Sequence, residues 1–489
     1  MPTSTTSRDS ATSPGLARGA LSALEAFGQS LAATGPSIAI GGTIPAICLT
    51  AGRGAFWSVV VGTSIALVVA VVVAQFARRA VGAGSLYSYV SLGLGRGAAF
   101  AAGWGIVLGY VGIAAACLVG GAVYLGALLD SAGLPATGTA AQLVLLVLVT
   151  AVSAVLPARG ARLSARAGIV FEVVSLLTIL GALVATVAHF GFTWDAGQFS
   201  GEGIQFDKVM LGAVLAVAVF VGFESAGSLG AETRNPYRSI PRAILATVLG
   251  AGVLYLVSVY IETLGFQQSA ELASSAAPLN ELSETAGVGW LSPLLNLGVA
   301  VSAVACAAAS VNAAARTLYS LSSEGVLPLF LARTHPRHRT PHRALYLLAA
   351  ASGLLPLVLI SAGSGEIEVY AWTAAFGTFG YLLAYLLTAL SLPRFLLRRG
   401  EPVAAPLLAS VLAVTAIVYV IYKNVSPVPP WPVNLLPYLF AIIVALGLVW
   451  YGVLHRRSPE RAVGLGRLVE ATPVSPSPDT EPLNVKETA

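Results

Sequence analysis

The chain has 489 residues, 56% of them hydrophobic and only 10% charged, with 27 Lys and Arg against 22 Asp and Glu. A soluble domain carries roughly a quarter charged residues, so this composition excludes an ordinary soluble globular protein. Cys48, Cys117 and Cys306 all sit in apolar runs, too few and too scattered for a disulfide framework or a zinc site, and no H-E-x-x-H, G-x-S-x-G or G-K-[ST] stretch occurs.

Apolar runs of about 20 residues, enough to cross a bilayer as helices, recur from end to end. The alternating strands of a β-barrel are absent. The expected fold class is therefore an all-α polytopic membrane protein. After a Ser/Thr-rich tail at 1–20, twelve spans are expected at about 24–51, 55–77, 98–129, 140–157, 165–189, 208–231, 241–264, 288–321, 344–362, 367–392, 403–423 and 434–454. The first contains Pro36 and Pro45 and no tidy cleavage site, so it reads as a lasting helix rather than a signal peptide. Residues 21–400 are expected to form the core and 401–455 the last two spans. The tail at 456–489 is polar and Pro-rich, and both tails are expected to be disordered.

Basic residues orient the chain. With the amino terminus in the cytoplasm, only Arg53, Lys208 and Lys423 of the 27 basic residues fall on the outer side. Both termini are then cytoplasmic, in the cell membrane. The sequence pI near 9.1 follows from this bias; it points to anionic lipid at the inner leaflet and not to nucleic acid.

Two spans carry backbone breakers near mid-depth. "TGPSIAIGGTIP" (34–45) concentrates Gly35, Pro36, Gly41, Gly42 and Pro45, and in the sixth span Gly222 precedes Phe223 and Glu224. Lipid cannot satisfy a broken backbone, so such stretches line a cavity or are buried in protein. Breaks in corresponding spans of two halves point to a transport site. Glycine serving close helix packing is the plain alternative for any single position.

A carboxylate at the bilayer centre costs about 2.5–3.5 kcal/mol on insertion scales, so Glu224 is expected to be partnered, protonated or wet. It either takes part in coupling or gating, or caps amides of the broken helices. Glu172, in "IVFEVVSLL", has the same two readings, its structural one being a pair with Arg162 or Arg166. Ser310 and Asn312 in "AAASVNAAAR" are polar candidates on span eight, with helix–helix hydrogen bonding as the alternative.

"VGFESAGSLGAETRNPYRSIPRA" (221–243) resembles the signature region of the amino acid–polyamine–organocation permeases. "RTLYSLSSEGVLPLFLARTHPRHRTPHRA" (316–344) and "FARRAVGAGSLYSYV" (76–90) resemble the same family's connections from span eight to nine and from two to three. The similarity covers about residues 20–400.

The resemblance implies a LeuT-like fold, with inverted repeats of spans 1–5 and 6–10 plus two extra helices. It implies a secondary transporter, not an enzyme, that moves an amino acid or related amine by alternating access, linked to protons. It implies no cofactor and no metal. A polyamine or amine antiporter or exchanger, and a sensor that kept the fold but lost turnover, are the alternatives. Carried over residue by residue, the amides around Ser37, Ile38, Ala39, Ile40 and Gly41 would hold a substrate carboxylate, and carbonyls at Phe220, Val221 and Gly222 an ammonium. Phe223 would be an aromatic gate. This chain departs from the family's glycine-rich G-S-G-I-F run with "GPSIAIGG", and it lacks the span-five Lys some members carry, having Ser175 near that place. Ala218 is small where the family can carry a bulky aromatic.

Overall fold

The computed structural model describes residues 15–136, 138–191, 194–201, 203–266, 277–458 and 464–471. The first broken span is built from α1 (Ala23–Thr34), α2 (Pro36–Ile38), a π turn (Ala39–Thr43) and α3 (Ile44–Ala51). Then follow α4 (Ala55–Ala77), β1 (Ala80–Val81), α5 (Leu86–Gly93), α6 (Arg96–Ser131), α7 (Thr139–Ala158) and α8 (Ala161–His189). The second broken span is α9 (Phe206–Ala218) and a 3-10 run (Phe223–Glu232). The chain continues with α10 (Pro236–Phe266), α11 (Pro278–Thr285), α12 (Ser292–Ser323), α13 (His342–Ser361), α14 (Glu366–Arg398), α15 (Ala404–Val425), α16 (Leu436–Arg457) and β2 (Glu470–Ala471).

Eleven segments among the described residues are long and apolar enough to cross a membrane. The first, Ala23–Ala77, has 55 residues, far more than the roughly 20 of one crossing. It folds back at Gly52, where φ is 54°, so that α3 and α4 lie side by side and both pack on α9. Glycine takes this backbone conformation without a Cβ penalty.

The packing repeats after five spans. α6 packs on α12 and α7 on α13, while α8 packs on α12 just as α14 packs on α6. α4 packs on α10, and α9 packs on α3 and α4 as α1 does on α10. Each contact maps onto itself or onto another when the halves are exchanged, which is the two-repeat arrangement expected. Close helix approach rests on small residues, as lipid offers no hydrophobic drive between helices. A Cβ on Gly112 would stand 2.6 Å from the Gly377 Cα, so α6 and α14 touch backbone to backbone. α6 and α12 are largely buried, while α15 and α16 face outward along most of their lengths. They are the two additional helices.

The tail differs from expectation. Residues 464–471 are docked: Val81 and Ala80 pair antiparallel with Glu470 and Ala471. Glu324 accepts from the Gly466 and Leu468 amides, each at 3.0 Å, and Leu465 is buried beside Tyr87 and Phe100. A polar segment with one well-placed apolar side chain and a carboxylate acceptor gains enough contact to order, despite its disorder-like composition.

Candidate functional site

Both breaks are built by glycine. At the end of α1, Gly35 adopts φ 57° and its N–H bonds Leu31 O; Pro36, which has no N–H to leave unpaired, opens α2. The wide turn at Ala39–Thr43 follows. The disruption thus brackets the expected stretch: it falls at Gly35 and again over 39–43, with Ser37 and Ile38 in a short helical turn between. In the other span α9 stops at Ala218, and Gly222 adopts φ 98° before the 3-10 run.

The breaks touch each other. A Cβ on Gly222 would stand 2.5 Å from the Ala33 carbonyl oxygen, and the Cys306 thiol donates to that oxygen at 3.2 Å. Ser30 Oγ donates to Phe223 O at 2.6 Å and accepts from the Ala226 amide at 3.1 Å. Ser225 Oγ donates to Gln29 O, and the Tyr255 hydroxyl donates to Val219 O at 3.1 Å. Side chains thereby satisfy backbone groups that an unbroken helix would satisfy alone.

A cavity of about 300 Å³ lies against both breaks. Ile38, Ala39 and Thr43 line it from the first span, Leu215, Ala218 and Val221 from the second, with Ile113 and Cys117 of α6, Cys306 of α12 and Tyr370 of α14. No charged side chain is among its lining residues. Gly42, on the wall, is exposed, so the cavity opens toward the α3 half of the first span. Hydroxyls, thiols, the Asn424 amide and main-chain groups are therefore what a polar solute would meet there.

Of the substrate-binding candidates named from sequence, Ile38, Ala39 and Val221 line the cavity, as does the small Ala218. Ser37 instead faces α8 and α12: its Oγ donates to Glu172 at 2.9 Å. Ile40 is buried in the core, and the Gly41 carbonyl accepts from the Tyr124 hydroxyl at 3.0 Å. Phe220 packs edge-on against Tyr255, and Phe223 stacks on Tyr385 with centroids 5.3 Å apart.

Glu224 is fully buried but is not among the cavity-lining residues. Its carboxylate accepts from Tyr110 of α6 at 2.7 Å and Tyr385 of α14 at 2.5 Å, tying the second broken span to two helices of the surround. The pairing of Glu172 with Arg162 or Arg166 does not occur. Those arginines reach Glu25, with Arg166 at 2.9 Å, because they lie on the exposed face of α8. Glu172 points inward and accepts from Ser37 and from Ser302 of α12. A carboxylate close to the start of α2 complements the partial positive charge there.

Asn312 belongs to a buried chain: its Nδ2 donates to Gln29 at 2.8 Å, its Oδ1 accepts from Arg316, and Arg316 Nε donates to Glu232 at 2.6 Å. Ser310 is buried between this chain and Cys306 along α12. Tyr110, Tyr385, Arg316 and Glu232 were not singled out from sequence. Arg316 and Glu232 stood in view as charges within or beside apolar runs; the tyrosines carry no such signal.

A profile of the family described as amino acid permease matches residues 33–462. The branched-chain amino acid permease BcaP of Bacillus subtilis (strain 168) is 28% identical over 63% of this chain and 68% of its own length. An uncharacterized transporter of Mycobacterium tuberculosis (strain ATCC 25618 / H37Rv) is 30% identical over 72% of this chain and 75% of its own. Among solved structures, a mutant of the manganese transporter of Eremococcus coleocola superposes with a TM-score of 0.54. That match covers 90% of this chain and 95% of the other at 14% identity, a likeness of fold alone.

Proposed function

This chain belongs to the amino acid permease family, and we propose that it moves an amino acid with an uncharged, apolar side chain across the cell membrane by alternating access. The observation that carries this reading is the cavity at the two opposed breaks, with apolar walls and no charged lining residue. Amides at the start of a helix attract a carboxylate, and carbonyls at the end of one attract an ammonium. A zwitterion then needs only the backbone for its charged ends, and its side chain meets Ile38, Ile113, Leu215 and Val221. A cationic amino acid or a polyamine would want a carboxylate on that wall; Glu172 and Glu224 both stand outside the lining. The printed name of the Bacillus relative, a branched-chain amino acid permease, agrees with an apolar side chain.

In this reading the segment Ala23–Ala77 crosses twice, giving twelve crossings with both termini cytoplasmic. The cavity faces outward, and the Tyr110–Glu224–Tyr385 cluster closes it on the cytoplasmic side. Gating is the role assigned to Glu224. Coupling to protons belongs to the same reading.

Counterflow of radiolabelled leucine in proteoliposomes tests it. Valine and isoleucine are expected to compete, and lysine and putrescine to have no effect. Competition by lysine or putrescine would overturn the substrate class; substrate binding without any flux would make the protein a sensor.

A further inference from the structure

The last turns of α10 carry a carboxylate that the site above does not use. Glu262 is fully buried, and among the described residues neither of its oxygens has a hydrogen-bond partner. It contrasts with the other buried glutamates. Glu25 bonds Ser22 and Arg166, Glu172 bonds two serines, Glu224 two tyrosines, Glu232 an arginine and Glu324 two amides. No ion pair reaches Glu262 among the described residues. An ionised carboxylate without partners is not tolerated in a protein interior, so this group is neutral in the packing seen here.

Among the described residues, Cys48 of α3 and Tyr124 of α6 are ionisable side chains within electrostatic reach of it. Cys48 Sγ lies 3.4 Å from the Thr263 hydroxyl, and Tyr124 donates to the Gly41 carbonyl in the π turn beside the cavity. α11 packs on this end of α10, with Leu282 pressed against Gly265; the acids of α11, Glu281 and Glu284, are exposed. α8 brings Thr186 to the same contact, and its hydroxyl is spent on Ala182 O. Glu262 thus sits at the end of α10 on which α3 and α11 pack, near the Tyr124 side chain whose hydroxyl reaches the wide turn of the first span.

We propose that Glu262 is the proton-binding site that couples transport to the proton gradient. This rests on the transporter reading above. The carboxylate takes one proton to become the neutral acid, which the present packing encloses. It returns that proton when α3 and α11 repack against α10 and water reaches the group. Tyr124 joins this event to the substrate cavity through Gly41.

The test uses the full chain, its Glu262→Gln and Glu262→Asp variants, and leucine as probe. Counterflow at equal pH on both sides needs no coupling, whereas accumulation under an inward acid gradient does. Glu262→Gln is expected to keep counterflow and to lose about tenfold or more of gradient-driven accumulation, with Glu262→Asp restoring part of it. Accumulation by Glu262→Gln equal to the parent's overturns the proposal. So does uptake driven by a sodium gradient and abolished in the variant, which would make this a sodium site. Counterflow absent from every protein, parent included, refutes the transporter reading itself. Infrared difference spectra between acid and alkaline pH give a readout that does not depend on flux. A neutral-carboxyl band present in the parent and missing from Glu262→Gln supports the site, and identical spectra overturn it.

Discussion

Gly222 lies so close to Ala33 that a single added carbon would stand 2.5 Å from the Ala33 carbonyl oxygen. This contact brings the two broken spans together beside the cavity that both of them line.

Gly222→Ala is therefore expected to fail on two counts, a φ of 98° and a collision with backbone. A strained backbone conformation of this kind costs of order 1–3 kcal/mol before the clash is added. Leucine counterflow should fall below detection, and thermal melting in detergent should shift down. A variant with the parent's counterflow and melting point would show that the breaks need not touch.

The gating role proposed for Glu224 makes a second prediction. Glu224→Gln keeps a side chain of the same shape but turns one acceptor oxygen into a donor, so it can no longer accept from both Tyr110 and Tyr385, and a hydrogen bond contributes about 0.5–1.5 kcal/mol. On the proposed reading, the packing seen here should lose population. Cys117 and Cys306 line the cavity, so an impermeant thiol reagent applied from the cytoplasmic side should label them faster in the variant. Unchanged labelling would assign Glu224 to a purely structural role.

Arg316 is fully buried on Glu232 and Asn312. Removing one partner of such a pair leaves the other charge uncompensated, at about 3–5 kcal/mol. Arg316→Met should lower the melting temperature much more than the double change Arg316→Met with Glu232→Leu. Equal losses would mean the pair is not coupled.

The docked tail is expected to respond to pH. Burial pushes the Glu324 carboxyl above its ordinary value, against the lowering pull of the Leu468 and Gly466 amides. Docking therefore takes up protons. Its contribution is complete below the free carboxyl's value of 4.5 and is lost as pH rises through the docked value. Hydrogen exchange at the Gly466 and Leu468 amides, corrected for intrinsic rate, should be more protected at acid pH. Glu324→Ala should remove the protection at every pH. Protection that grows with rising pH would reverse the sign of this linkage.

Much of the architecture is legible in the chain because bilayer crossing demands long apolar runs, and each expected span has a helix in its place. The breaks are legible for a related reason: glycine and proline at mid-depth are costly unless used. Register was harder. "GPSIAIGG" distributes its disruption between Gly35 and a wide turn at 39–43, and no local pattern distinguishes the two. Pairings across 114 and 161 residues, from Tyr110 and Tyr385 to Glu224, are set by tertiary packing and leave no trace in spacing. Glu262 escaped notice because an acid near the end of a span reads as an interfacial residue, whereas here α11 packs over that end.

Leucine counterflow by Ala39→Trp tests the central claim most directly. Ala39 lines the cavity where the two spans part, and an indole there fills the space a substrate side chain needs. The account predicts a correctly folded, monodisperse protein with no leucine counterflow and no leucine-induced rise in melting temperature. Counterflow at the parent's rate would contradict it and place the substrate elsewhere.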